Sequence, residues 1–176
     1  RRSVANNLND ISKDNPDLVL DLLREWQPDA TDKVRWITGH ALRTLVKQGH
    51  PAALALLGYP SDPAIAVRNL CVKPQGIQIG DEITLSFEIE SLAGEPLNLM
   101  IDYVVYHMRA NGRLTPKVFK LTKRTIRPGE VLPIERKHSF APVTTRKYYP
   151  GEHAVEPKIN GKLFGRAGFV LKESKR

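Results

Sequence analysis

The sequence predicts a multidomain chain of α plus all-β class, with stacked helical hairpins over residues 1–62 and an antiparallel β-sandwich over residues 63–176. Three observations predict it. Apolar residues recur at helical spacing up to Leu57, the period changes to two from about Pro63, and Asn-Gly and Pro-Gly turn dipeptides punctuate the second part.

In the first helix Val4, Leu8 and Ile11 recur at helical spacing, while Ser3, Asn6 and Asp10 fall on a different face. One face is expected to pack and the other to stay polar. Asn15 followed by Pro16 supplies an N-cap and a proline at the first helical position. They open a second helix whose Leu18, Val19, Leu22, Leu23 and Trp26 form an apolar stripe until Pro28 ends it. Thr31 caps a third helix with Val34, Ile37, Ala41, Leu45 and Val46 inward. Gly49 stops it, and a short helix from Pro51 to Leu57 closes at Gly58. Four helices with short turns match the stacked pairs of an α-solenoid. A solenoid needs several repeats to bury a continuous core, so the chain is expected to start inside a longer array.

In the second part Ile83, Leu85, Phe87 and Ile89 alternate with Thr84, Ser86, Glu88 and Glu90, the pattern of a half-buried strand. Asn111-Gly112 and Asn160-Gly161 each separate two strand-like runs, and such dipeptides accept the positive φ values of tight hairpin turns. Further runs near 65–73, 131–141 and 152–159, with Pro-Gly turns at 128–129 and 150–151, bring the total to about seven short strands, as an Ig-like sandwich requires. The expected core contains Leu85, Phe87, Ile89, Val105, Leu121, Phe169 and Leu171. In Pro150-Gly151-Glu152-His153-Ala154-Val155, His153 stands where sandwiches of the fibronectin type often carry a corner tyrosine.

The 41% hydrophobic content suffices for a buried core. The lone Cys71 cannot form an internal disulfide, as suits a reducing compartment. Apolar runs too short for a bilayer, and an opening Arg1-Arg2-Ser3-Val4 without signal-peptide layout, set the expectation of a cytoplasmic, membrane-free protein, taken as a monomer. The net charge of +8 is unevenly placed. Lys plus Arg against Asp plus Glu number 8 and 8 in residues 1–62, 2 and 6 in 63–108, and 17 and 5 in 109–176. The excess therefore belongs to the last third, as in a domain that meets phosphate on one side, although a merely solvated basic face has the same composition.

Trp36, His40, Arg43 and Lys47 are spaced to line one face of the third helix. An aromatic and basic stripe suits a nucleic-acid backbone, and equally a Trp36 packed on a neighbouring repeat beside solvated cations. The first helix presents Ser3, Asn6 and Asp10 together with Arg1 and Arg2 at its start, so Asp10 is either a carboxylate able to stabilise developing positive charge or an ordinary exposed acid. In the sandwich, Arg109, Arg113, Lys117, Lys120, Lys123, Arg124 and Arg127 gather on one hairpin and its exit. Thr144, Thr145, Arg146, Lys147, Tyr148 and Tyr149 form a basic, hydroxyl-rich loop of the residue types that contact phosphate, sugar and base edges. His40, His50, His107, His138 and His153 show no metal-ligand spacing with Cys71 or the acids, and no Walker motif, dinucleotide loop or nucleophile elbow occurs. No metal and no cofactor are expected.

The run Arg1-Arg2-Ser3-Val4-Ala5-Asn6-Asn7-Leu8-Asn9-Asp10-Ile11-Ser12-Lys13, and then Ala41-Leu42-Arg43-Thr44-Leu45-Val46-Lys47-Gln48-Gly49-His50-Pro51, resemble the HEAT-like repeats of AlkC-type DNA alkylation-repair glycosylases. Asp102-Tyr103-Val104-Val105-Tyr106-His107-Met108 and the loop from Thr144 to His153 resemble the Ig-like C-terminal domain of that branch, which the related AlkD proteins lack. The likeness covers essentially the whole chain and leaves out the N-terminal half of the family's helical array. It implies α-helical HEAT-like repeats followed by an Ig-like antiparallel β-sandwich, and a function in DNA repair. The implied partner is double-stranded DNA carrying cationic N-methylated bases such as 3-methyladenine and 3-methylcytosine.

Such a base is already a good leaving group, so the enzyme has to stabilise an oxocarbenium-like sugar and position water, work for carboxylates. Asp10, inside the matching Asn-Leu-Asn-Asp run, is the implied catalytic acid of this portion. The family is held to act on a base left largely in the helix, so no flipped-base pocket is expected. Beside the glycosylase, a non-catalytic DNA-binding module and a helical-repeat scaffold for proteins remain open.

Overall fold

The computed structural model describes residues 1–28, 30–144 and 146–173. The chain divides into two compact units, Arg1–Pro63 with Asn160–Lys162, and Ala64–Ile159 with the chain from Leu163 onward. The described residues are mostly β, with five short helices among them.

The helical unit contains α1 (Arg2–Asp14), α2 (Pro16–Glu25), α3 (Asp32–Ala41), α4 (Arg43–Gln48) and α5 (Pro51–Leu56). Helix α1 packs against α2, α3 and α4. Its buried stripe is Ala5, Leu8, Asn9 and Ser12, one position away from the expected Val4, Leu8 and Ile11, and Val4 is 45% exposed. Two polar residues fit that stripe because their bonds are internal. Ser12 Oγ donates to the Asn9 carbonyl at 2.8 Å, and Asn9 Oδ1 accepts from the Thr44 amide at 3.2 Å.

In α2 the buried positions are Val19, Leu20 and Leu23, whereas Leu18, expected inside, is 65% exposed. Pro16 opens α2 as expected, yet Asn15 makes no side-chain cap bond. Thr31 does cap α3, its Oγ1 accepting from the Val34 amide at 3.4 Å.

The expected third helix is two helices broken at Leu42, where φ is −86° and ψ is 2°. A continuous helix would have bonded the Thr44 amide to the His40 carbonyl. Instead Thr44 donates to Asn9 and the His40 carbonyl accepts from Arg43 Nη1 at 2.6 Å, so side chains satisfy both groups and the ladder bond is lost. Gly49, with φ of 83°, ends α4 while the His50 amide bonds the Leu45 carbonyl at 2.9 Å.

The second unit is a sandwich of two sheets. One holds β1 (Ile65–Lys73), β3 (Glu82–Ser91) and β6 (Val131–Ser139) in the order β1-β3-β6. The other holds β2 (Gly76–Gln78), β9 (Ala167–Lys172), β7 (Gly151–Ile159), β4 (Leu97–Met108) and β5 (Leu114–Ile126) in the order β2-β9-β7-β4-β5, with β8 (Lys162–Leu163) paired to β7. Pairing is antiparallel except between β2 and β9, which run parallel, so the expectation of a wholly antiparallel sandwich needs that correction.

Ile83, Leu85, Phe87 and Ile89 of β3 face Leu99, Ile101, Tyr103 and Val105 of β4 in one core with Val155, Phe169 and Leu171. Leu121 is only half-buried against this core, because β5 is an edge strand with one side open. Asn160 and Gly161 both take positive φ, 46° and 82°, in the turn from β7 to β8. At Asn111-Gly112 only the glycine does, at 73°; the Gly112 amide bonds the Arg109 carbonyl, a longer hairpin loop than the two-residue turn expected.

Candidate nucleic-acid interface

On the helical unit, Trp36 and His40 lie one turn apart on α3 and stack with ring centroids 4.5 Å apart and planes 12° from parallel. The Arg1 guanidinium lies 5.1 Å from the Trp36 ring centroid, placing a cation on the π face. Arg43 sits beyond the helix break with its guanidinium on the His40 carbonyl, and Lys47 follows one turn later, exposed. Arg2 and Asn6 are exposed on α1. Of the expected stripe, Trp36 and His40 stack and Arg1, at the start of the first helix, joins them, while Arg43 is turned onto the backbone and Lys47 is an exposed side chain.

Asp10 is 67% exposed and pairs with Lys13 Nζ at 2.7 Å. That hydrogen bond, then the charge of Lys13, outweigh the slight burial and, with Asn9 and Arg43, hold the Asp10 carboxyl below the usual carboxylate range. Asp10 is therefore an ionised acceptor at neutral pH.

In the sandwich the loop after β6 is tied down at several points. The Arg146 amide bonds the Val143 carbonyl at 3.2 Å, and Arg146 Nη1 donates to His107 Nε2 at 2.7 Å. A guanidinium only donates, so the His107 ring accepts at Nε2 and carries its proton on Nδ1. Burial first, then the charge of Arg146, push the His107 pKa down to about 3, consistent with a neutral ring. Tyr148 packs on Phe140 with ring centroids 5.2 Å apart, and Lys147 Nζ lies 5.4 Å from the Tyr149 ring. Thr144 and Lys147 are exposed and Arg146 is half-buried; Thr145 lies outside the described residues. On the hairpin of β4 and β5, Arg109 Nε donates to Thr115 Oγ1 at 3.1 Å, while Lys120 and Lys123 act on the buried Asp102. Part of the hairpin's charge thus balances an internal acid.

Residues 66–173 match the family model described as "Uncharacterised protein YhaZ, C-terminal Ig-like domain". The chain belongs to this family. It is 40% identical over 163 residues to YhaZ of Bacillus subtilis (strain 168), a stretch covering 93% of this chain and 45% of that protein. It is also similar in structure to the Pseudomonas fluorescens alkylpurine DNA glycosylase AlkC, solved bound to DNA containing an abasic site analog. That likeness has 41% identity and a TM-score of 0.92 and covers 98% of this chain and 48% of AlkC. The chain therefore spans about half the length of these relatives. A β-glucosidase from Erythrobacter marinus, at 13% identity and a TM-score of 0.53 over 65% of this chain and 17% of its own, shares the fold alone.

Within this YhaZ-type Ig-like domain, sequence reasoning singled out His153 at the corner but missed that it belongs to an imidazole-rich end of the core. His107, His138 and His153 are all buried, around Phe140. For His107 the signal was period-two spacing, which places it with Tyr103 and Val105. His153 Nε2 donates to the Tyr149 carbonyl at 3.0 Å, a side-chain to backbone tie four residues upstream in the manner of a corner tyrosine. Also missed were Tyr106, whose Oη donates to Glu156 Oε2 at 2.7 Å, and Arg166, whose guanidinium lies 3.8 Å from the Tyr106 ring centroid. Among the described residues no group of three His, Cys, Asp or Glu is arranged to hold a metal ion, and no helix is long and apolar enough to cross a membrane.

Proposed function

We propose that this chain is the C-terminal portion of a DNA-repair glycosylase that hydrolyses the N-glycosidic bond of cationic alkylated bases such as 3-methyladenine and 3-methylcytosine. One observation carries the reading: 41% identity over 98% of the chain to AlkC, a DNA glycosylase solved on DNA. In this reading α1 to α5 are the last part of a HEAT-like array in a monomeric, cytoplasmic enzyme, and the sandwich holds the duplex by its backbone.

Asp10 is the acid assigned to the chemistry on the helical unit. Its ionised, exposed carboxylate suits electrostatic stabilisation of a sugar that gains positive charge as the glycosidic bond breaks. Arg1, Arg2, Asn6, Trp36, His40, Arg43 and Lys47 are assigned to DNA contact on the same unit, and Thr144 to Tyr148 to backbone contact on the sandwich. Exposed cations and hydroxyls at Thr144 and Lys147, together with the tethered Arg146, support the loop assignment.

The test is release of 3-methyladenine from alkylated duplex DNA by the full-length protein. Excision supports the reading, and salt-sensitive DNA binding without excision reduces it to a DNA-binding module. The 176-residue chain alone is expected to excise little or nothing, because it spans less than half of each relative.

A further inference from the structure

Two edge strands border the same side of the sandwich, β6 ending one sheet and β5 ending the other. Alternation places Ile134, Arg136 and His138 of β6 on one side, with Ile134 and His138 buried in the core. Lys117 and Phe119 likewise share a side of β5, opposite Val105 and Tyr103 of β4. These rows meet. Phe119 stacks on Tyr103 with ring centroids 5.3 Å apart and meets His138 edge-on at 4.7 Å. Lys117 Nζ lies 5.2 Å from the Phe119 ring centroid. Tyr103 Oη shares a hydrogen bond of 2.9 Å with His138 Nδ1, and the neighbouring Arg136 guanidinium offsets part of the rise that burial imposes on the Tyr103 pKa. Arg146 arrives from the loop after β6 and bonds His107, whose ring lies 6.3 Å from that of His138.

Three cations from three segments therefore border one patch of aromatic and imidazole rings. Besides burial and the neighbouring histidines, Arg146 and Lys117 depress His107, and Arg146, Arg136 and Lys117 depress His138, so all three cations act on the same rings. A single inward lysine on an edge strand serves to block edge-to-edge pairing. Two arginines converging with it go further, since guanidinium forks match phosphate oxygens and like charges gathered at one place favour an anion. Neutral His107 suits this use: it orients Arg146 by accepting one N–H while leaving the full positive charge for a ligand.

We propose that Lys117, Arg136 and Arg146 form a site for a backbone phosphodiester of duplex DNA on the open side between β5 and β6. The proposal rests on the DNA-holding role given to the loop and extends it onto the two edge strands.

The test is fluorescence anisotropy of a labelled duplex titrated with the 176-residue chain over a series of salt concentrations. Lys117→Gln and Arg136→Gln should each weaken binding severalfold and lower the slope of log affinity against log salt by about one, the signature of one lost phosphate contact. Arg136→Lys should restore most of the slope. Should Arg136→Gln fail to fold by circular dichroism, Lys117→Gln and Arg136→Lys carry the comparison. Parental affinity and slope in Lys117→Gln and Arg136→Gln, beside a clear loss in Arg146→Glu with Lys147→Glu, would overturn this site and leave the loop's role standing. Duplex binding by the parent chain that ignores salt would overturn both. Site-dependent binding to phosphatidylserine vesicles without duplex binding would overturn the assignment to DNA.

Discussion

Arg146 donates from Nη1 to His107 Nε2 across 2.7 Å, fastening the loop after β6 to the inner row of β4. The bond requires an uncharged imidazole, and burial keeps it so, with the His107 pKa near 3 and that of His138 near 4. In the unfolded chain both rings take up a proton as pH falls through about 6.5. Between those values the unfolded state binds more protons, so the stability these rings contribute is complete above about pH 6.5 and is lost as pH falls towards 3.

Urea unfolding midpoints should therefore decline steadily from pH 7 to pH 4. His107→Gln keeps an acceptor for Arg146 but cannot titrate, and its decline should be shallower. Parallel pH profiles for the parent and His107→Gln would contradict the assignment of acid sensitivity to this ring.

Asn9 is 2% exposed, and its Oδ1 satisfies the Thr44 amide at the break between α3 and α4. Asn9→Ala leaves that amide without its partner and should destabilise the chain by about 1–3 kcal/mol in urea denaturation. A change below about 0.5 kcal/mol, the range of surface substitutions, would show that the Thr44 amide finds another partner.

Much of the architecture is legible in the residues, and its exceptions have local causes. Alternation in Ile83 to Glu90 announces β3, and Asn160-Gly161 announces the turn after β7, because period and positive φ are properties of the chain itself. The broken third helix is not legible, since Leu42 is a good helix former and the cause is Asn9, 35 residues away from Thr44. The shifted stripe of α1 has the same origin: Asn9 and Ser12 read as surface residues until their internal bonds are seen. In the candidate interface, the basic loop is visible from composition, while the Arg146–His107 bond and the place of Arg136 beside Tyr103 depend on strand pairing that spacing does not reveal.

In the proposed glycosylase, Asp10→Asn should lower excision by the full-length protein by on the order of a hundredfold, as expected for a preorganised electrostatic group, with KM for the lesion duplex little changed. Its pairing with Lys13 is exposed, so folding should be nearly unaffected. Single-turnover excision at the parental rate would end the catalytic assignment, and an unfolded variant would make Asp10 structural.

The proposed grip of the sandwich on the backbone of duplex DNA is checked most directly by the salt dependence of binding. Affinity of the 176-residue chain for an unmodified duplex should fall steeply with salt, because neutralising phosphates releases counterions. Arg146→Glu combined with Lys147→Glu should weaken that binding and flatten the slope of log affinity against log salt, whatever the duplex sequence. A slope identical to that of the parent chain would contradict the claim and return the loop to an inert surface.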